Sequence, residues 1–109
     1  MSPSIAVIAR FMPRPQSREA LRTLLQTMTT PTRAEAGCRT YDLYEIADGG
    51  DFVLFERYRS RTALAEHRLS THYVNYRAQL NGFLTKPVEV TVLDALDEAS
   101  DPTRRSVIG

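Results

Sequence analysis

The stretch Asp48-Gly49-Gly50-Asp51-Phe52-Val53-Leu54-Phe55-Glu56-Arg57-Tyr58 decides the fold. Gly and Asp tolerate the positive φ that tight turns need, so Asp48 to Asp51 reads as a hairpin turn. Before it, Cys38 to Ile46 carries Tyr41, Leu43, Tyr44 and Ile46, and after it comes Phe52 to Tyr58; both runs favour strand. Alternation sets Phe52, Leu54, Glu56 and Tyr58 on one face of the second strand and Val53, Phe55 and Arg57 on the other. Both faces therefore hold large apolar residues, and both want cover.

Working outward, Ile5 to Phe11 is a third β-rich run that stops before Pro13 and Pro15, which cannot donate to a ladder. Ser17 is placed to cap a helix with Glu19 in its first turn, and Ala20, Leu21, Leu24, Leu25 and Met28 repeat at helical spacing until a stop or kink near Pro31. Beyond the hairpin, Ser60 caps a helical stretch holding Ala63, Leu64, Ala65 and His67, and Ser70-Thr71 offers a second cap where that helix breaks or restarts. Leu69, Tyr73, Tyr76, Leu80 and Phe83 or Leu84 form one stripe, closed by Asn81-Gly82 and Pro87. Val88 to Leu93 is a last strand, with its valines on one face.

The order β-α-β-β-α-β predicts an α+β, ferredoxin-like domain over residues 1–94, an antiparallel sheet with both helices on one face. Residues 95–109 are polar and charged, and read as a flexible tail or an exchanged arm. The first strand (Ile5, Ala6, Val7, Ile8, Ala9), like Phe52 to Phe55, is apolar at odd and even positions, so helices on one face leave the other bare. Burying a large apolar side chain is worth about 1.5 to 3 kcal/mol. Four to six left in water would cost roughly the whole stability of a small domain. A second copy, sheet against sheet, solves this: we expect a homodimer through the helix-free face with an interface of about 1,600 Å² or more.

Composition narrows the function. The 109 residues carry a net charge of +1, 14 Lys plus Arg against 13 Asp plus Glu, which gives no basic stripe for nucleic acid. One Cys cannot make an intramolecular disulfide, two His show no zinc-ligand spacing, and no glycine-rich phosphate loop can be drawn through the five glycines. The N-terminus has neither a signal-peptide pattern nor a membrane span. The expectation is a cytoplasmic protein with no metal, no nucleotide-binding loop and no membrane partner.

The chemistry-bearing candidates cluster between positions 41 and 76. His67 is either a proton shuttle near neutral pH or a helix-surface or helix-end histidine. His72 lies three residues from Leu69 and four from Tyr76, so an unbroken helix would turn it toward the sheet, as a hydrogen-bonded structural group or a functional one. Glu56 is either buried and paired or wet at the sheet end. Tyr41, Tyr58, Tyr73 and Tyr76 each pack as aromatics with a polar tip, and together suggest an aromatic-lined cavity between helices and sheet. Cys38 reads as a small packed residue rather than a nucleophile.

Pro31-Thr-Arg-Ala-Glu-Ala-Gly-Cys-Arg-Thr-Tyr-Asp-Leu-Tyr44, Phe52-Val-Leu-Phe-Glu-Arg-Tyr58, Ala63-Leu-Ala-Glu-His67 and Ser70-Thr-His-Tyr73 resemble the antibiotic biosynthesis monooxygenase (ABM) domain of the dimeric α/β-barrel superfamily, over roughly residues 5 to 93. The resemblance implies a homodimeric barrel and oxidation of a quinol or hydroxylated aromatic by O₂ without flavin, haem or metal. It implies Glu56 and His67 as an acid/base or hydrogen-bonding pair, with Tyr41, Tyr58, His72 and Tyr73 shaping the substrate pocket. Tyr58 stands where the family commonly has Trp. Haem-degrading relatives use an Asn, Trp and His set that this chain, without Trp, does not offer. Two other functions share the frame: isomerisation of a small phosphorylated signal molecule, for which Arg33 or Arg57 would supply the cation, and a non-catalytic dimeric ligand-binding module.

Overall fold

The computed structural model describes residues 4–99. Its strands are β1 (Ile5–Phe11), β2 (Cys38–Glu45), β3 (Phe52–Tyr58) and β4 (Glu89–Asp94), and its helices are α1 (Arg18–Thr27), α2 (Thr29–Arg33), α3 (Arg61–Leu69) and α4 (Thr71–Leu80). They form one antiparallel sheet in the order β2-β3-β1-β4. This is the ferredoxin-like α+β arrangement expected from the sequence. Asp48 and Gly49 take positive φ, 66° and 77°, at the β2–β3 turn.

Period two decides which residues the helices cover. Ile5, Val7, Ala9 and Phe11 of β1 and Phe52, Leu54, Glu56 and Tyr58 of β3 are buried on the helix side. Leu21 and Leu25 of α1, Leu80 of α4 and Leu84 pack with Ala9, Phe11, Phe52 and Leu54, while Ala63 and Leu64 of α3 pack with Ile5, Val7 and Tyr58. On the opposite face Ile8 stands directly across from Phe55, Tyr44 across from Val53, and Leu93 across from Ala6. Ile8, Tyr44 and Leu93 are 38%, 56% and 39% exposed. Within one chain, then, this apolar face has no cover.

The helices depart from the sequence reading in local detail. A 3-10 turn over Pro15–Ser17 precedes α1, and the Ser17 side chain makes no capping bond. The long first helix is two, broken at Met28, with Pro31 in the first turn of α2, where its missing N–H is not needed. Ser60 and Ser70 do cap, accepting from the backbone N–H of Ala63 and Tyr73. The break at Ser70 turns Leu69 out of the apolar stripe, leaving it 81% exposed. Ala95 N–H bonds to the Ser4 carbonyl and Arg57 pairs with Glu98 at 3.0 Å; residues 100–109 of the tail lie outside the described residues. Among the described residues no helix is long and apolar enough to cross a membrane.

Gly37 is where the chain between α2 and β2 meets α3. A Cβ there would lie 2.4 Å from Ala63 Cβ, and Gly37 also accepts a bond from Arg59 N–H. A methyl group forces the helix outward, an overpacking that typically costs about 1 to 3 kcal/mol. Gly37→Ala is expected to lower Tm by on the order of 10 °C in a thermal melt. An unchanged Tm would show that α3 is not held at this point.

Candidate functional site

The break at Ser70 builds the site. Ser70 ends α3 by donating its hydroxyl to the His67 carbonyl (2.6 Å) and begins α4 by accepting from Tyr73 N–H. One extended residue thus breaks the helix and brings His67, from the last turn of α3, beside His72, from the first turn of α4. Both rings meet Glu35, which sits in the turn after α2 and is tied down by backbone bonds from its N–H to the Thr32 carbonyl and from Cys38 N–H to its own carbonyl. Glu35 Oε2 lies 2.8 Å from His67 Nδ1 and 2.6 Å from His72 Nε2.

His67 is 3% exposed, which rules out the helix-surface reading. Tyr58, Tyr73, His72 and Tyr41 surround its ring, with centroid separations of 5.3, 5.0, 5.9 and 6.1 Å. Burial pulls its basicity below the ordinary histidine value, and the Glu35 hydrogen bond only partly opposes this. A neutral imidazole donates from one nitrogen and accepts at the other. With a carboxylate against Nδ1, the proton belongs there, and Nε2 is the bare acceptor. That nitrogen lies 4.0 Å from Glu56 Oε1.

Glu56 is the buried carboxyl of β3, 6% exposed, and it accepts a 2.6 Å hydrogen bond from Tyr58 Oη. Burial pushes its pKa up to about 7, against the opposing pull of the Tyr58 bond and the Arg68 charge. Tyr58 and Tyr41 are held well above the usual phenol range by burial and then by Glu56, so both stay protonated. Cys38 is pushed up to about 11 by burial and then by Glu35, which leaves an inert thiol, as its sequence position suggested.

A buried carboxyl of this kind leaves a signature in stability. Below about pH 4.5 Glu56 is protonated both folded and unfolded and costs nothing. As pH rises to about 7 the unfolded chain releases a proton that the folded chain keeps, so stability drops, by roughly 3 kcal/mol at most. Glu56→Gln is therefore expected to match the parent in thermal melts near pH 4 and exceed it increasingly up to about pH 8. A difference that does not change with pH would contradict the placement of a titrating carboxyl there.

Glu56 and His67 form the inner end of a narrow cleft of about 30 Å³, walled by the buried Tyr76, with Tyr73, Arg68 and Arg77 toward its mouth and Val90 of the edge strand along one side. All six residues singled out in the sequence come together around His67, in two roles. Glu56, His67 and Tyr73 line the cleft. Tyr41 and Tyr58, 2% and 0% exposed, stand behind its wall, and His72 lies on the far side of His67. Arg33 and Arg57 are not in the cleft: Arg33 donates to the Tyr41 carbonyl and pairs with Asp42, and Arg57 lies on the helix-free face with Glu98. The cations at the mouth are Arg68 and Arg77, and neither has a carboxylate ion-pair partner among the described residues.

Glu35 was missed by the sequence reading. It lies 32 and 37 residues from the histidines it joins, a separation no motif spacing reports. Glu35, His67 and His72 also converge to within 4.8 Å, a grouping that sequence spacing does not report.

The family model described as Antibiotic biosynthesis monooxygenase matches residues 4–79. The chain belongs to the antibiotic biosynthesis monooxygenase family. Within it, the chain is similar to a Mycobacterium tuberculosis protein named "Putative monooxygenase Rv0793", 71% identical over 100 residues that cover 92% of this chain and 99% of that one. The solved structure of Rv0793 superposes with a TM-score of 0.87 at 72% identity, covering 89% of this chain and 99% of that chain. A second solved structure, Pseudomonas aeruginosa PA3566, aligns with a TM-score of 0.81 at 32% identity over 89% of this chain and 98% of that one.

Proposed function

We propose that this ABM-family chain is a monooxygenase that oxidises a quinol or hydroxylated aromatic with O₂ and no cofactor, working as a homodimer joined through the helix-free sheet face. The observation that carries this reading is the line Tyr58–Glu56–His67–Glu35, which sets a bare imidazole nitrogen and a carboxyl near neutrality at the buried end of an aromatic-walled cleft. The Nε2 lone pair accepts the substrate's hydroxyl proton, and the resulting electron-rich anion reduces O₂ directly. A ring C–O bond forms, the O–O bond breaks, and one oxygen stays in the quinone product. The other leaves as water, taking the two hydrogens that the substrate loses. Substrate supplies all four electrons, so no external reductant enters.

Protein groups have three tasks in this scheme. His67 and Glu56 hold and return the proton, Glu35 keeps the imidazole in the accepting tautomer, and the apolar walls exclude water from the anion. At about 30 Å³ the cleft has room for water but not for a ring. Entry therefore requires Tyr73 and the exposed Arg68 and Arg77 side chains at the mouth to swing outward. A second reading, isomerisation of a small phosphorylated molecule, draws its support from those two arginines.

Oxygen uptake by flavin-free, chelator-treated protein over a panel of quinols and hydroxylated aromatics, beside a phosphorylated-sugar conversion assay, tests the proposal. Quinol-dependent uptake is the expected result. Conversion of the phosphorylated substrate without uptake would favour the isomerase, and binding without any turnover would favour a ligand-binding module.

A further inference from the structure

Behind His67, on the side away from the cleft, a second cavity of about 220 Å³ is lined by Glu35, Gly37, Ala63, Glu66, His67 and Ser70. The proposed oxygenation makes no use of this space. Glu35 Oε2, His67 Nδ1 and His72 Nε2 face one another beside it, all within 4.8 Å. The three come from three separate elements, are half-buried or buried, and are one carboxylate and two imidazoles, a donor set suited to zinc and its first-row neighbours.

We propose that Glu35, His67 and His72 form a binding site for a zinc-class divalent cation, and that filling it switches off the base in the cleft. Metal–ligand bonds of about 2.0 to 2.1 Å in a tetrahedral site put ligand atoms about 3.3 Å apart. The present 2.6 and 2.8 Å contacts need open by about 0.5 to 0.7 Å, and the two imidazole nitrogens, up to 4.8 Å apart, close by up to about 1.5 Å, movements that Glu35 and His72, with side chains 19% and 24% exposed, have the freedom to make. The cavity leaves room for water at the fourth position. His67 Nε2 faces Glu56 at 4.0 Å, so a metal on Nδ1 would find the outer carboxylate partner that orients metal-bound histidines.

The two states exclude each other. Without metal, Nδ1 carries the proton and Nε2 is the acceptor. With metal on Nδ1, the neutral ring keeps its proton on Nε2, pointing toward Glu56, so the cleft loses its base. The site itself stands on geometry alone; only the switching rests on the proposed oxygenase reading.

Cobalt(II) titration of the whole, chelator-treated protein tests both parts. The expected result is one equivalent bound per chain, with the visible ligand-field bands of a four-coordinate site that zinc then displaces. His72→Ala and Glu35→Gln, checked for unchanged circular dichroism, should each abolish the bands, while Glu56→Gln should weaken binding about tenfold or more. Absence of bands, or bands that survive both His72→Ala and Glu35→Gln, would overturn the site. Quinol-dependent oxygen uptake should fall in step with zinc occupancy; stoichiometric binding with undiminished uptake would overturn the switch. If no quinol is turned over at all, the oxygenase reading fails, and the cobalt spectrum still decides the site.

Discussion

His67→Ala is expected to lower kcat/KM for quinol oxidation by about 10² to 10⁴-fold, the range a positioned general base contributes. Its ring stands at the centre of the site, with Glu35 on Nδ1, Glu56 beyond Nε2, and three tyrosines and a second histidine around it. Glu35→Gln gives the finer test. A glutamine turned to donate to Nδ1 would draw the proton onto Nε2, the wrong tautomer for a base facing the cleft. Its loss should appear in kcat, at about 10-fold or more, with KM little changed, because Glu35 does not line the cleft. Glu56→Ala should also lose activity, since Glu56 is the other proton-holding group at the cleft's inner end. If neither Glu56→Ala nor His67→Ala slows oxidation of a bound quinol, the assignment is wrong.

Ile8→Asp combined with Phe55→Asp is expected to convert a dimer into a monomer of much lower stability. These two residues are opposite one another on β1 and β3, the two central strands, at the middle of the helix-free face. Ile8, Tyr44 and Leu93 are exposed there, and Val53 and Phe55 half-buried. A second sheet laid on this face would remove them from water at about 25 cal/mol per Å² of apolar surface. Two carboxylates at its centre would have to be desolvated without a partner, a penalty of several kcal/mol that no rim contact recovers. Sedimentation of the parent protein at micromolar concentration should show a dimer, and the double variant a monomer. A stable, folded parent monomer under those conditions would refute the sheet-to-sheet assembly.

The fold was legible because its signals are local. Asp48 to Asp51 fixes the hairpin, Ser60 and Ser70 announce their helices, and alternation in Phe52 to Tyr58 assigns Glu56 to the covered face. The stop or kink expected near Pro31 falls at Met28, three residues earlier, because the first turn of a new helix accepts proline. Leu69 was placed in the apolar stripe because the phase change at Ser70 cannot be read from periodicity. At the site, Glu56, His67, His72 and the tyrosines were found as residue types on the right elements. Glu35 was not, since its role arises from a loop carboxylate meeting two helix ends, a tertiary contact with no sequence spacing. Arg68 and Arg77, rather than Arg33 and Arg57, reach the cleft mouth for the same reason: helix phase and the Ser70 break decide it.

The most direct test of the central claim is oxidation of a quinol under ¹⁸O₂ by flavin-free, chelator-treated protein, with the double variant Glu56→Ala/His67→Ala as the reference. The account predicts one labelled oxygen in the product, the other in water, and one O₂ consumed per quinol oxidised. Product formed at the rate of the double variant, or product without label, would contradict it.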